Sequence, residues 1–101
     1  MGRPSAIILH HELGNNGFWG VNDYHRQLWD FKSSLGFYIA YQYYIDILGI
    51  VYQGRADDEE GAHCIGRNPD SIGICLEGNL DISRTNEVQL ASLKYLILQK
   101  M

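Results

Sequence analysis

No stretch of this 101-residue sequence approaches the roughly 20 consecutive apolar residues that a membrane-spanning helix requires. Lysine and arginine form no cluster, and the formal net charge is -4. We therefore expect the protein to bind neither a membrane nor a nucleic-acid backbone. The N-terminus, Met1 to Pro4, lacks the long apolar stretch of a signal peptide. We therefore expect the protein to remain in the cytoplasm on synthesis.

Cysteine is scarce, and the two cysteines do not form a Cys-x-x-Cys pair. Cys75 lies in an apolar run and is expected to be a small buried hydrophobe. The spacing to Cys64 allows a disulfide but does not require one. The acidic run over 57–60 is expected to be a solvated turn. With 46% hydrophobic and 20% charged residues, the sequence predicts one packed domain over residues 1–101.

Hydrophobic spacing predicts an α/β fold with a mixed central β-sheet flanked by helices. The strand over 71–76 is nearly continuous in apolar character, so it is expected at the centre of the sheet, covered on both faces. The predicted elements, in chain order, are a strand over 6–10, a helix from Asn22 to Lys32, a strand over 37–45, an antiparallel strand over 50–53, the strand over 71–76 and a helix from Thr85 to the C-terminus.

Each predicted helix has an expected buried face. The first is predicted to begin at Asn22 as the cap, and we expect His25 within it to be partly buried with a hydrogen-bond partner. The expected core-facing positions are Tyr24, Leu28 and Phe31 in the first helix, and Val88, Ala91, Tyr95 and Leu98, flanked by Leu90, Leu93 and Ile97, in the second.

The chemistry most worth testing lies at the end of the first predicted strand, where His10 and His11 are adjacent. Successive side chains alternate across a strand, so one imidazole can point into a site while the other lines its rim. Imidazole is the commonest neutral metal ligand and the usual proton carrier near pH 7. The pair therefore predicts a metal or proton-transfer site at a rigid strand end.

Four stretches of the sequence, in order, resemble the N-acetylmuramoyl-L-alanine amidase family of zinc enzymes, which includes phage lysins and peptidoglycan recognition proteins. The resemblance covers most of the chain and implies the α/β fold of that family. The matching stretches are 7–11, 34–43, 51–55 and 61–79.

The resemblance implies a role for each of five residues. His10 matches the first zinc ligand, and Tyr41 matches the tyrosine that acts at the scissile carbonyl. His11 is implied to face the substrate groove, and His63 and Asn68 to line it and contact the muropeptide. One position departs from the family pattern, which usually has a histidine after the tyrosine where this chain has glutamine.

A catalytic zinc needs about three protein ligands and one open position. The resemblance implies that the other two ligands, a histidine and then a cysteine or aspartate, follow the last helix, and no residue here matches them. Two explanations compete, a C-terminally truncated amidase domain and a natural short form that has lost zinc. A substitute set of His10, His11, His63 and Cys64 is a lesser alternative. A missing final strand would leave a sheet edge or a helix face uncovered, and such a surface would favour self-association.

The sequence therefore predicts a zinc-assisted peptidoglycan hydrolase that cleaves the amide between N-acetylmuramic acid and L-alanine. An endolysin of a phage or prophage, acting on the bacterial cell wall, fits the expected cytoplasmic synthesis. The first alternative is a non-catalytic module that binds peptidoglycan fragments in the same groove. The second is a structural protein that reuses the fold.

Overall fold

The computed structural model of the protein describes residues 6–11, 17–57, 71–78 and 86–100. Four strands form one sheet in the order β1-β4-β2-β3. They are β1 (Ala6–His11), β2 (Tyr43–Ile45), β3 (Val51–Gln53) and β4 (Ser71–Leu76). β4 is parallel to β1 and β2, whereas β2 and β3 are antiparallel. The predicted mixed sheet is confirmed.

A helix packs on each face of this sheet. α1 (Gly17–Trp29) covers one face and α2 (Glu87–Lys100) covers the other. Because side chains alternate along a strand, β2 and β4 contribute to both cores. The α1-side cluster comprises Phe18, Val21, Ile39, Tyr44 and Cys75. The α2-side cluster comprises Tyr43, Ile45, Ile72, Ile74, Leu76, Leu93 and Leu96.

β4 is the central strand, as its apolar run predicted. All six of its residues are buried, and it pairs with a strand on either side. Cys75 within it is completely buried, so its expected role as a small core residue is confirmed. Cys64 lies outside the described residues.

The predicted bounds and buried face of the first helix are wrong. α1 begins at Gly17, and it ends at Trp29 because Asp30 adopts the left-handed conformation with φ 51°. Asn22 therefore lies inside the helix and is buried rather than capping it. The expected core positions Tyr24, Leu28 and Phe31 are exposed, and the helix buries Phe18, Val21, Asn22 and His25 instead.

The predicted strand over 37–45 is confirmed only at its end, since β2 covers Tyr43–Ile45. The antiparallel strand predicted after it is confirmed as β3. The Asp46 carboxylate accepts the N–H groups of Leu48 and Ile50, each at 3.0 Å, and reverses the chain into the antiparallel β3. Gly49 adopts φ 82° in this turn, a conformation that favours glycine.

The second helix begins two residues later than predicted, at Glu87, and it buries a different set of side chains. α2 is capped by Asn86, whose Oδ1 accepts the N–H of Gln89 at 2.8 Å. It buries Gln89, Leu93 and Leu96. The expected stripe of Val88, Ala91, Tyr95 and Leu98 is exposed, so that part of the prediction is wrong. Of the expected flanking positions, Leu93 is buried and Ile97 packs against the α2-side cluster. Among the described residues, no helix combines the length and the apolarity that crossing a bilayer demands.

The first residue of the acidic run has a structural role that the sequence did not predict. Asp57 accepts a hydrogen bond from the Tyr43 hydroxyl and forms an ion pair with Lys100 at 2.8 Å. Burial is the main cause of a raised Tyr43 pKa, and the Asp57 hydrogen bond adds to it. The end of α2 is thereby attached to the segment after β3. Residues 58–60 lie outside the described part of the chain.

Gly54 lies where the surrounding atoms leave no room for a side chain. A Cβ atom at this position would lie 2.1 Å from Ile39 Cγ2 and 3.1 Å from the carbonyl oxygen of Tyr41. We expect Gly54→Ala to lower the free energy of unfolding by about 3 kcal/mol, because the buried contact cannot relax without moving the backbone.

Urea unfolding of Gly54→Ala beside Gly36→Ala checks this expectation. Gly36 has φ 93° and open space around its Cβ position, so its substitution costs only backbone strain, about 1 kcal/mol. Equal losses for the two variants would show that the approach at Gly54 is not tight.

Candidate functional site

His10 lies near the end of β1 on the α1 side of the sheet. Its strand partner is Cys75, which belongs to the α1-side cluster, and partnered residues of neighbouring strands share a face. The imidazole is half-buried, and burial lowers its pKa below the ordinary value. A neutral imidazole at pH 7 follows, which is the form that binds a metal.

Tyr41 lies directly beside His10. The two ring centroids are 5.1 Å apart, with the planes tilted by 42°. The Tyr41 ring is half-buried and packs against the α1-side cluster. The structure thus brings together the residue implied to bind zinc and the residue implied to act at the scissile carbonyl, although they are 31 positions apart in sequence.

Three sequence-predicted residues cannot be placed. The backbone of His11 belongs to β1, but its side chain lies outside the described part of the structure. His63 and Asn68 lie outside the described residues, as does Cys64 of the substitute ligand set. Their roles stay predictions.

The segment before β2 is held by side chains instead of by a strand ladder. Asn22 Oδ1 accepts the N–H groups of Tyr38 and Ile39 at 2.7 and 3.0 Å. His25 Nδ1 accepts the N–H of Ala40 at 2.8 Å. These acceptors satisfy buried backbone donors that would otherwise be costly. These side-chain hydrogen bonds explain why residues 37–42, which have high β propensity, do not pair as a strand.

Arg55 holds the same segment from the opposite direction. Its side chain is only 1% exposed, and its Nε donates to the carbonyl oxygen of Ile39 at 2.8 Å. Its guanidinium also donates to the carbonyl oxygen of Phe31 and lies 4.3 Å from the centroid of that residue's ring. The backbone leading to Tyr41 is therefore fixed at both its donors and its acceptors.

Gln42, the departure from the family pattern, has a structural function. It is completely buried, and its Oε1 accepts the N–H of Gly73 in β4 at 2.7 Å. Its own carbonyl oxygen accepts the N–H of Gly54 at 2.9 Å. The glutamine therefore connects β4, β2 and the segment after β3.

The described residues supply one candidate zinc ligand. His10 fits that role because its imidazole is neutral and lies at a strand end. Within residues 6–11, 17–57, 71–78 and 86–100, no group of three or more His, Cys, Asp or Glu side chains could hold a metal ion. Three members of the substitute set, His11, His63 and Cys64, have side chains outside the described part of the chain, so that set stays a prediction.

Sequence analysis missed the contribution of Asn22 and Arg55 to the site. A usable signal for Asn22 was its spacing, since with His25 it shares the helical face of Phe18 and Val21. Two polar residues on an apolar helix face indicate buried hydrogen-bond partners. His25 was expected to be a buried, hydrogen-bonded helix residue, and this is confirmed.

The buried His25 predicts that the protein loses stability in mild acid. Burial, reinforced by the positive charge of Arg55, lowers the pKa of His25 to about 4. The unfolded chain binds a proton at the ordinary pKa near 6.5, so this contribution is complete above that value and is lost as pH falls towards 4. We expect a loss of about 2 kcal/mol between pH 7.5 and pH 4.5, allowing for solvent screening.

Urea unfolding at the two pH values, compared between the wild type and His25→Asn, checks this loss. Asparagine keeps an acceptor near the position of Nδ1 but does not titrate, so its stability should fall about 2 kcal/mol less between the two pH values. A variant with the same pH dependence as the wild type would show that His25 is not the titrating group.

Together, a mixed sheet with one helix on each face and a histidine–tyrosine pair beside its central strand define a domain of the amidase class. The family model described as N-acetylmuramoyl-L-alanine amidase matches residues 1–101. The chain belongs to that family, and the resemblance carried by the four stretches of sequence is confirmed.

Several known proteins are similar to the chain. Peptidoglycan-recognition protein SC2 of Drosophila melanogaster is 30% identical over 103 residues, which cover 92% of this chain and 53% of that protein. The endolysin N-acetylmuramoyl-L-alanine amidase LysCS of Clostridium intestinale is 29% identical, with a TM-score of 0.78 over 97% of this chain and 64% of that chain.

Drosophila PGRP-LB shares the fold at a TM-score of 0.84 and 24% identity, over 99% of this chain and 62% of that chain. The chain spans about half the length of the curated relatives and less than two thirds of these solved structures.

Proposed function

We propose that this domain acts on peptidoglycan by hydrolysing the amide between N-acetylmuramic acid and L-alanine, assisted by zinc. The contact between the rings of His10 and Tyr41 carries the proposal. Its support is the family membership and the similarity to an endolysin amidase at 29% identity.

Tyr41 has the chemistry to stabilise the transition state. Amide hydrolysis develops negative charge on the carbonyl oxygen, and a positioned phenol hydroxyl can donate a hydrogen bond to it. Half-burial of the ring against the α1-side cluster and its contact with His10 restrict how far the hydroxyl can move. Such a fixed donor requires little reorganisation when the charge develops.

His10 would hold zinc through its neutral imidazole. When bound, zinc supplies Lewis-acid polarisation and a nucleophile that is available at neutral pH. Burial lowers the pKa of His10, which favours the neutral ring. This residue therefore needs no deprotonation step before it can bind the metal.

The proposed substrate is a muropeptide of the bacterial cell wall, with His11, His63 and Asn68 contributing to its groove. Imidazoles and amides form hydrogen bonds with sugars and peptides, and aromatic faces stack on sugar rings. An endolysin of phage or prophage origin remains our proposal for the biological context.

Release of free amino termini from purified cell walls tests the hydrolase proposal. The full chain is assayed with zinc, with a chelator and as His10→Ala. We expect release with zinc and none in the other two conditions. Zinc-independent release, or equal release by His10→Ala, would contradict the assignment of His10.

A binding module is the second candidate, because the curated relatives are named for recognition. Calorimetric titration with a muropeptide separates the two candidates. Binding that is equal in zinc and chelator, with no release of amino termini, would favour the module. Zinc-dependent release of amino termini would favour the hydrolase.

A further inference from the structure

The segment that ends at Tyr41 is fixed by side chains from outside it, one position after another. Asn22 holds the N–H groups of Tyr38 and Ile39, and His25 holds that of Ala40. His25 therefore makes the last of these backbone contacts before Tyr41. Removing its acceptor would leave the contacts at positions 38 and 39 in place and would release only the residues next to the candidate site.

His25 also contacts the side chain of Tyr41. Their ring centroids are 5.5 Å apart, with the planes tilted by 59°. His10 contacts the same tyrosine at 5.1 Å, so Tyr41 has an imidazole neighbour from β1 and another from α1. One residue of α1 thus contacts both the N–H of the residue before Tyr41 and the Tyr41 ring.

The His25 ring is itself held in place. It is 6% exposed and lies 4.8 Å from the ring centroid of Trp29, one helical turn later. Because Nδ1 accepts the Ala40 N–H, this hydrogen bond fixes both the tautomer of the neutral ring and the ring's orientation. Because its ring is packed and its Nδ1 is hydrogen-bonded, His25 can hold the neighbouring Tyr41 in a defined position.

We propose that His25 is the positioning residue of the candidate site, because it sets the backbone at Ala40 and the ring of Tyr41 so that the phenol stays beside His10. The inference rests on the proposed hydrolase function for its catalytic consequence. Its structural part, the placement of Tyr41 by His25, can be measured without any reaction.

Three variants separate positioning from simple loss of stability. His25→Leu keeps apolar bulk but removes the acceptor, and His25→Asn keeps an acceptor near the position of Nδ1. Gln89→Leu is the matched control, because Gln89 is a buried polar residue of α2 that donates to backbone carbonyls of Ile45 and Glu77 on the other face of the sheet.

The first measurement is amide hydrogen exchange together with the NMR signals of the Tyr41 ring. In His25→Leu we expect exchange at Ala40 and Tyr41 to accelerate at least about tenfold, with exchange at Ile45 unchanged. The Tyr41 ring signals should move in the same variant. His25→Asn should restore both, and Gln89→Leu should leave the Tyr41 signals in place.

The second measurement is hydrolysis of a muropeptide. His25→Leu should lower kcat roughly 10- to 100-fold with KM nearly unchanged, because the phenol is misplaced while the groove remains. His25→Asn should recover most of kcat, and Gln89→Leu should keep it.

The outcomes distinguish the inference from the proposed function. If the wild type does not hydrolyse the substrate, the proposed function is wrong, and hydrogen exchange alone decides whether His25 places Tyr41. The inference is overturned if His25→Leu accelerates exchange throughout the sheet, if His25→Asn fails to restore Tyr41, or if an active wild type keeps its kcat in His25→Leu.

Discussion

Replacing Tyr41 with phenylalanine is expected to lower kcat for muropeptide hydrolysis roughly 10²- to 10³-fold, because it removes the hydroxyl that we propose donates to the developing oxyanion. The substitution deletes one oxygen atom and keeps the ring that contacts His10 and His25. KM should therefore change little, since an interaction made only in the transition state affects kcat. Steady-state release of free amino termini from a soluble muropeptide provides the measurement.

Tyr95→Phe is the matched control for this substitution. Tyr95 is 66% exposed on α2, away from the α1-side cluster, so its hydroxyl should not affect hydrolysis. Circular dichroism should show that both variants keep the wild-type fold. A Tyr41→Phe variant with wild-type kcat would remove the tyrosine from the mechanism, and an increase confined to KM would make it a substrate-binding residue.

The central position of β4 was predicted correctly because its burial follows from composition alone. β4 is an apolar run, and a strand buried on both faces needs no alternation. The segment over 37–42 has equally strong β propensity but does not form a strand. Its backbone donors are accepted by Asn22 and His25 of α1, and no local rule predicts partners 15 to 17 positions earlier.

The main buried stripe of each helix was predicted wrongly for one physical reason. Hydrophobic periodicity assigns apolar and aromatic residues to the core, whereas the faces observed include the polar residues Asn22, His25 and Gln89. Each forms hydrogen bonds with a distant backbone segment, which makes its burial favourable. Tyr24 and Tyr95 are exposed as a consequence.

The candidate site was predictable only in part. A strand ending in two histidines indicates a site, but the choice of Tyr41 among the tyrosines over 38–44 came from the family resemblance. The structure places Tyr41 beside His10, and this contact depends on long-range packing between α1 and the sheet. The family resemblance includes the stretch that contains Arg55, but no local sequence pattern predicts the buried hydrogen bonds that Arg55 donates.

Replacing Arg55 with methionine is expected to lower the free energy of unfolding by about 3 to 5 kcal/mol, a large part of the 5 to 15 kcal/mol typical of a domain. Methionine fills a similar volume but leaves the carbonyl oxygens of Ile39 and Phe31 without the donors that Arg55 supplies. Hydrogen bonds from a charged donor are the strong ones, and their loss at a buried site is not compensated by water. Thermal unfolding should show a Tm lower by on the order of 15 °C.

Arg55→Lys tests whether the guanidinium geometry, rather than charge alone, stabilises the fold. An ammonium group cannot reproduce the planar fork that donates to two carbonyl groups from 24 and 16 positions earlier, so we expect an intermediate loss of about 2 kcal/mol. If lysine restores full stability, the positive charge is sufficient and the two directed hydrogen bonds are not needed. If methionine is as stable as the wild type, the segment before Tyr41 is held by Asn22 and His25 without help from Arg55.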